Sequence, residues 1–450
     1  MRYVRLISII LGLLLLWLTC TSMVYAAPKL SLKEAVVLAL RTNPDLQAAR
    51  ANVAIAKARL IQAGLWPNPN LNLTNLDDKV FKDEGEYTRS IELTQALPIS
   101  GRLGAQKRVA CVDVIKAIAE IKDAERQLSN NVANAFYALL LTGRRLQQQD
   151  YLLNLNRQLV EVTHERYLAA EVSELDTNTA RLEYQRLHQE RHLLETVRIN
   201  QLAQLNQYLG REASASLHLH LTLPKQGPWP SLSVLQRIAL HNRPDRKAAL
   251  LTIKRAGSDI QLARVERFAD WTLGIKFQQE KIVVEGAPPQ QADRLLGVGL
   301  TIPLPLFNAN QGRILEASAT GTKGLMTLRA LDLAIKNQVA SSYAQVRLLQ
   351  HTLYETQFQS LSLTRKNVQL ARDAYKQGML SLLNMVQVQR QQNEFQLTYL
   401  TNLEKYLQTF VALCTAIGVG SPKIPCDYLP YKKELKCMPS CNGAQKRFTK

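Results

Sequence analysis

The chain has 450 residues, of which 46% are hydrophobic, and its 56 Lys+Arg against 37 Asp+Glu give a formal net charge of +19. The apolar share excludes a disordered or collagen-like chain, and six cysteines without a C-x-x-C pair exclude a disulfide scaffold. The basic residues are spread along the chain rather than clustered, so we expect no nucleic-acid partner.

The first 26 residues have the pattern of a secretory signal peptide. Arg2 and Arg5 precede an apolar run over residues 6–18, and small residues lead to a cleavage site expected after Ala26. Cys20 is an alternative site of lipid attachment, although the Trp-Leu-Thr before it lacks the small apolar pattern that lipidation favours. The run is too short to span a bilayer, and no later stretch is apolar for 18 residues. We therefore expect an exported chain rather than a helical membrane protein.

The sequence repeats itself at an offset of about 200 residues, which indicates an internal duplication. Three blocks recur in the same order, namely 39–45 with 239–245, 93–98 with 300–305, and 167–173 with 375–381. We predict one domain over residues 27–420, made of two structural repeats at about 30–229 and 230–420. The remaining residues, 421–450, form a basic tail with three cysteines that we expect to be disordered.

Each repeat is predicted to contain two strands and long helices. Alternating apolar and polar residues predict strands near 69–76, 88–97, 270–284 and 294–304. Proline-free stretches follow at 102–223 and 311–421, with apolar residues at coiled-coil spacing. A continuous helix from Gly101 to Leu168 would be about 100 Å long at about 1.5 Å per residue, so it must align with other helices.

Four strands per chain leave open sheet edges, and an open edge is not tolerated in lipid. Three chains with four strands each would close a 12-stranded β-barrel wide enough to enclose water. The fold class that we predict is mainly α with a small β part: long antiparallel coiled-coil helices forming an α-barrel, plus a β-barrel completed by trimerisation. The alternative from another class is a periplasmic coiled-coil structural protein without a pore.

Several motifs resemble those of the TolC family of outer-membrane efflux proteins, over about residues 30–420. They are Asn-Pro-Asp-Leu at 43–46, Pro-Asn-Pro-Asn-Leu at 67–71, Gln-Ala-Leu-Pro-Ile-Ser-Gly-Arg at 95–102 and Pro-Leu-Pro-Leu-Phe-Asn-Ala-Asn-Gln-Gly at 303–312. The resemblance implies a homotrimer in the outer membrane of a Gram-negative bacterium, in contact with its lipid and extending into the periplasm. It also implies a periplasmic adaptor protein, an inner-membrane pump, and a passive exit duct that has no catalytic activity and no cofactor.

The Pro-Asn-Pro and Leu-Pro-Leu-Phe-Asn-x-Asn-Gln-Gly forms most resemble the CzcC-type branch, which serves cobalt, zinc and cadmium efflux. This resemblance implies export of divalent heavy-metal cations with a resistance-nodulation-division pump. The alternative is the same channel serving multidrug efflux or type I protein secretion.

The resemblance also implies that residues 167–177 and 375–385 form the periplasmic tips, where the tunnel closes and the adaptor binds. Glu174, Asp176 and Asn384 are candidate aperture residues that Arg166 or Arg181 would hold in the closed state; the alternative is that they cap helix starts. Ala170 stands where the family favours glycine, so we expect the first tip to turn differently from the second. The tip residues are Tyr167, Ala170, Ser173, Glu174, Asp176, Tyr375, Gly378, Ser381 and Asn384.

Metal-ligating and catalytic patterns are sparse. His188, His192 and Glu195 fall on one helix face at i, i+4 and i+7, which is a weak candidate for a surface metal site, and exposed histidines without a metal are the expected alternative. His218 and His220 are two candidate ligands without a third. No P-loop, G-x-S-x-G, H-E-x-x-H or G-x-G-x-x-G motif occurs, so we do not expect an enzyme.

Overall fold

A computed structural model of the chain describes residues 30–80, 84–220, 230–284, 286, 288 and 290–418. The expected signal peptide at 1–26, Cys20 and the tail at 421–450 lie outside the described residues. The chain divides into two compact units, Met1–Val37 with Ala135–Lys225, and Leu38–Asn134 with Gln226–Lys450. These units do not coincide with the sequence repeats, because the second unit combines part of the first repeat with all of the second.

The order of elements confirms the internal duplication, since two helices, two strands and a long helical hairpin occur twice. The first copy comprises α1 (Leu32–Thr42), α2 (Pro44–Gln62), β1 (Asn70–Asp77), β2 (Tyr87–Leu97), α3 (Arg102–Leu168) and α4 (Glu174–Tyr208). The second comprises α5 (Leu232–Asn242), α6 (Pro244–Val265), β3 (Trp271–Lys281), β4 (Asp293–Thr301), α7 (Gln311–Glu355), a π-helix (Thr356–Ser360), α8 (Leu361–Lys376) and α9 (Leu382–Ile417).

The four strands form one antiparallel sheet in the order β1-β2-β3-β4, which confirms a mainly α fold with four strands per chain. The central pair, β2 and β3, joins the two repeats. The strands expected at 270–284 and 294–304 end earlier, at Lys281 and Thr301. Lys281 pairs with Tyr87, the first residue of β2, so no partner continues the ladder. Pro303 and Pro305 have no N–H to donate beyond Thr301.

The two repeats start their second helix differently. In α2 the Asn43 side chain caps the helix, since its Oδ1 accepts a hydrogen bond from the Leu46 N–H at 2.9 Å, and Pro44 occupies the first turn. In α6 the corresponding residue is Arg243, which makes no side-chain cap. In the same unit, α2 packs on the N-terminal half of α3 through a buried cluster of Val53, Ala56, Val114, Ala117 and Ile121.

A π-helix joins α7 to α8 and accommodates one extra residue in their shared apolar repeat. Its buried apolar residues recur every seven positions from Val339 through Val346 to Leu353 and again from Leu361 to Val368, but Leu353 and Leu361 are eight apart. The five-residue π-helix lies between Leu353 and Val368, where the additional residue occurs. A wider turn takes up this residue, so the apolar stripe stays on one face along the whole helix.

In the other unit, the C-terminal half of α3 pairs with α4. Leu152 and Leu153 pack on Leu187, and the buried Gln149 amide donates to the Leu187 carbonyl at 2.9 Å. Arg191 reaches back to Asp150 at 2.7 Å. Within the described part of the chain, no helix has the length and hydropathy needed to cross a lipid bilayer.

Candidate functional sites: an amphipathic sheet and two helical turns

One face of the sheet is apolar and exposed. The strand register places Leu71, Leu93, Ile275 and Val298 in one cross-strand row, and Leu73, Ile91, Phe277 and Leu296 in the next. Val298 and Leu296 are 73% and 74% exposed, and the other six are also exposed. Monomeric soluble proteins rarely expose a contiguous apolar area of this kind, so this face needs an apolar neighbour.

The opposite face is polar. Its rows combine Asn70, Thr94, Gly274 and Gly299, then Asn72, Glu92, Lys276 and Gly297. Successive residues of a strand point to opposite faces, so the alternation in the sequence becomes one apolar and one polar surface. A sheet of this type suits a boundary between lipid and water.

The apolar rows end in aromatic and charged residues. Along β3, Trp271 precedes the apolar rows, and Gln279 follows them in a row with Arg89 and Arg294. Eight residues at about 3.4 Å each give about 27 Å from Trp271 to Gln279, close to the apolar band of about 25 Å typical of outer-membrane strands. The ends of the band therefore match the interfaces of a membrane.

The turn between α3 and α4 is closed by backbone hydrogen bonds. The Ala170 N–H donates to the Tyr167 carbonyl at 2.9 Å, and the Glu171 N–H donates to the Arg166 carbonyl at 2.8 Å. This is the Schellman arrangement, which requires a left-handed residue after the helix, and Ala170 has a φ of 57°.

The turn between α8 and α9 repeats this geometry. The Gly378 N–H donates to the Tyr375 carbonyl at 3.0 Å, and the Met379 N–H donates to the Ala374 carbonyl at 2.9 Å. The expectation that Ala170 makes the first turn differ is wrong, because alanine adopts the same left-handed conformation as Gly378, whose φ is 75°. The hydrogen bonds of the turn hold Ala170 there in spite of its Cβ.

The tyrosines of the two turns differ in burial. Tyr375 is 5% exposed and continues the buried stripe of α8 from Val368 and Ala371, whereas Tyr167 is 39% exposed. Tyr167 follows the buried Thr163 by four residues, as Tyr375 follows Ala371, so the spacing along the helix does not account for the difference in burial. The two turns thus present different surfaces despite the same backbone.

The candidate aperture residues occupy helix starts. Asp176 forms a capping box with Ser173: the Ser173 N–H and hydroxyl donate to the Asp176 carboxylate at 3.2 and 2.8 Å, and the Asp176 N–H donates to Ser173 Oγ at 3.2 Å. The Asn384 N–H donates to Ser381 Oγ at 3.3 Å. Glu174 is exposed in the first turn of α4. Capping thus accounts for the geometry of Asp176, and Glu174 is the other acidic residue in the first turn of α4.

Arg166, an expected partner of these acids, forms an ion pair with Glu171 at 2.9 Å, within the same helical hairpin. This ion pair ties the last turn of α3 to the connection that follows it.

The metal candidates lie on α4. The rings of His188 and His192 are 4.5 Å apart, centroid to centroid, whereas the Glu195 carboxylate accepts hydrogen bonds from Arg198 at 2.7 and 3.0 Å. The hydrogen bond from Arg198 lowers the pKa of Glu195. Among the described residues, no group of three or more histidine, cysteine or acidic side chains is arranged to hold a metal ion.

A charged cluster that the sequence patterns did not predict lies at the C-terminal end of α9. Arg243, only 6% exposed, donates to both carboxylate oxygens of Asp245 at 3.0 and 2.6 Å and to the Ala416 carbonyl at 3.4 Å. Arg126 donates to the Thr415 carbonyl at 3.0 Å. These guanidiniums satisfy carbonyls at the helix end and oppose its negative dipole. The sequence contained one indication of this cluster: Arg243 occupies the position in the second repeat at which Asn43 caps the helix in the first.

Comparison with known proteins supports the interpretation of the amphipathic sheet as a membrane-facing surface. A family model described as outer membrane efflux protein matches residues 35–211 and 235–419, one segment in each repeat. The chain is 23% identical over 420 residues to the cobalt-zinc-cadmium resistance protein CzcC of Cupriavidus metallidurans, covering 89% of this chain and 94% of that protein.

Solved structures share the fold. A crystal structure of CusC, in work on transmembrane channel formation, superposes with a TM-score of 0.71 at 19% identity, covering 86% of this chain and 92% of that one. The CmeC outer membrane channel of Campylobacter jejuni gives a TM-score of 0.73 at 14% identity, with 90% and 88% covered.

The matched family consists of channels, so the expectation that the chain is not an enzyme is confirmed, and so are the outer-membrane location and the resemblance to the TolC family. Because the family model matches most of the chain, in two segments that follow its two repeats, the chain belongs to the outer membrane efflux protein family and is an efflux channel component.

Proposed function

We propose that three copies of the chain close a 12-stranded β-barrel and an α-helical tunnel, forming a passive exit duct across the outer membrane and periplasm. The observation that carries this proposal is the amphipathic sheet. Its apolar rows face outward to lipid, its polar rows face water, and β1 and β4 are edges that another copy can pair. Molecular-mass determination in detergent tests it, with three chains expected.

We propose further that each helical turn, at 167–177 and at 375–385, lies at the periplasmic end of the tunnel and contacts a periplasmic adaptor. The exposed Tyr167 and the exposed Glu174 suit an adaptor surface or an aperture. An inner-membrane pump would supply the energy, since the duct itself has none.

For the cargo, we propose divalent heavy-metal cations, delivered by a resistance-nodulation-division pump. The support is the relative named for cobalt, zinc and cadmium resistance, whose length the chain covers almost completely. Multidrug efflux and type I protein secretion are the alternatives for the same channel.

Metal tolerance of a deletion strain tests the cargo. We expect sensitivity to zinc, cobalt or cadmium that the intact gene restores, with unchanged sensitivity to a panel of dyes and antibiotics. The matched control is a plasmid encoding a variant with Lys in place of Val298, which disrupts the lipid-facing row and should fail to restore tolerance. Sensitivity to the dyes and antibiotics alone would contradict the assignment of metal cargo but would still agree with an efflux channel.

A further inference from the structure

Two histidines on α4 form a pair with no assigned role. His188 and His192 are exposed, and their rings are 4.5 Å apart with an interplanar angle of 79°. On a helix, residues four apart are neighbours on one face, and two histidines at this spacing are the arrangement with which H-E-x-x-H helices hold zinc. The two imidazoles therefore lie side by side on one exposed face of α4.

Three arginines lie close to the pair in the sequence of α4, and each of them pairs with an acid. Arg191 binds Asp150 at 2.7 Å, Arg186 binds Glu183 at 2.7 Å and also Glu190, and Arg198 binds Glu195 at 2.7 Å. The charge of these arginines is thus compensated locally, which lowers the repulsion that a bound dication would meet.

From this arrangement we infer that His188 and His192 form a two-nitrogen surface site for a borderline divalent cation such as Cu²⁺, Ni²⁺ or Zn²⁺. Neutral imidazole suits these ions, and affinity increases toward Cu²⁺ in the first-row series. Water completes the coordination. Glu195 is not a ligand, because its carboxylate is held by Arg198. This binding site is a separate proposal from the metal cargo, because a cation can bind at α4 whether or not the channel exports metal.

Copper binding to the purified full-length protein tests the site. The protein carries no polyhistidine tag, and its accessible cysteines are alkylated so that their thiols neither bind nor reduce the metal. Electron paramagnetic resonance with one Cu²⁺ per chain should show coupling to two nitrogens, and calorimetry with Ni²⁺ should give one site per chain.

The decisive variants are H188Q and H192Q, in which glutamine keeps a good helix former on an exposed surface. Each should lose the two-nitrogen signal and weaken Ni²⁺ binding about tenfold or more, since even changes outside the ligand shell cost about 10–100-fold in metal affinity. The matched controls are the H218Q/H220Q pair and E195Q, which should bind like the parent protein.

Absence of the two-nitrogen signal from the parent protein, or its persistence in H188Q or H192Q, would overturn the site. Circular dichroism and the oligomeric mass establish that each variant is folded. Metal tolerance of cells is a separate measurement, so failure of the cargo proposal leaves this result unaffected, and the converse also holds.

Discussion

Ala170 and Gly378 occupy equivalent positions in the two helical hairpins and share the left-handed conformation, with φ of 57° and 75°. Each donates its N–H to the carbonyl three residues earlier, at 2.9 and 3.0 Å. A left-handed alanine costs about 1–2 kcal/mol because its Cβ crowds the following carbonyl. The first turn therefore stores strain that the second avoids.

Replacing Ala170 with glycine should stabilise the protein. Relief of the strain exceeds the added chain entropy of glycine, so we expect a gain of about 0.5–1 kcal/mol in the free energy of unfolding, measured by urea denaturation. The matched control is A169G, at a neighbouring position whose N–H makes the helical bond to Glu165, where glycine should destabilise by about 0.5–1 kcal/mol. Equal destabilisation by both changes would show that Ala170 is unstrained.

A lysine on the apolar face of the sheet should impair assembly in the outer membrane. Phe277 lies within the exposed apolar rows, and a lysine near the middle of a bilayer costs about 2–4 kcal/mol in this type of strand. We expect F277K to reduce the amount of folded protein in the outer-membrane fraction. Its control is Q278K, on the polar face, where Glu280 at 3.0 Å accepts a hydrogen bond from the native side chain. If both variants assemble equally well, the apolar face does not contact lipid.

Asp245 should make stability depend on pH. Burial raises the pKa of its carboxyl, but the hydrogen bond from Arg243 and the charges of Arg243 and Arg126 lower this pKa by a larger amount. The pKa of Asp245 therefore lies below the ordinary 3.8. Because the folded pKa is lowered, the stabilisation is present above pH 3.8 and is lost as the pH falls through the folded value.

We expect D245N to destabilise the protein by about 1–3 kcal/mol at neutral pH, since it leaves the buried Arg243 guanidinium without its carboxylate. Thermal unfolding between pH 7 and pH 3 measures both effects. The difference between D245N and the parent protein should shrink at the acid end, and a constant difference would contradict the assignment.

Cys414 should be unreactive in the folded protein. Burial raises the pKa of its thiol to about 12, so at pH 8 only about one thiol in ten thousand is ionised. Because the thiolate is the nucleophile, we expect slow alkylation at Cys414 before unfolding and rapid alkylation afterwards. Mass spectrometry of the peptide that contains Cys414 measures both rates, and similar rates would show that the site is open.

A substitution at Glu174 tests whether this residue lines the aperture of the channel or only begins a helix. If three copies of this carboxylate line a constriction, E174Q should lower the preference of the channel for cations in planar bilayers. E165Q, which removes an exposed acid of α3 a few residues before the turn, is the control and should leave selectivity unchanged. Unchanged selectivity in both variants would leave Glu174 without a role in the pore, while the capping box of Ser173 and Asp176 still orders the turn.

The duplication and the strands were predictable because they depend on local spacing. Leu273, Ile275 and Phe277 alternate with polar residues, and a strand turns that alternation directly into two faces. The capping role of Asp176 was likewise among the expected alternatives, since Ser-x-x-Asp is a local pattern.

By itself, the sequence determined the class of elements, their order and the family, because period, proline placement and short motifs act within a few residues. Only the tertiary structure decided the left-handed state of Ala170, the π-helix at Thr356–Ser360 and the Arg243–Asp245 pair at the end of α9. At Ala170 the backbone hydrogen bonds of the turn outweigh the steric cost of the Cβ, and the π-helix keeps one apolar stripe aligned between Leu353 and Val368. The turn at Ala170 depends on the path of the backbone after α3, and Arg243 also donates to the Ala416 carbonyl, a partner distant in sequence; a short motif specifies neither.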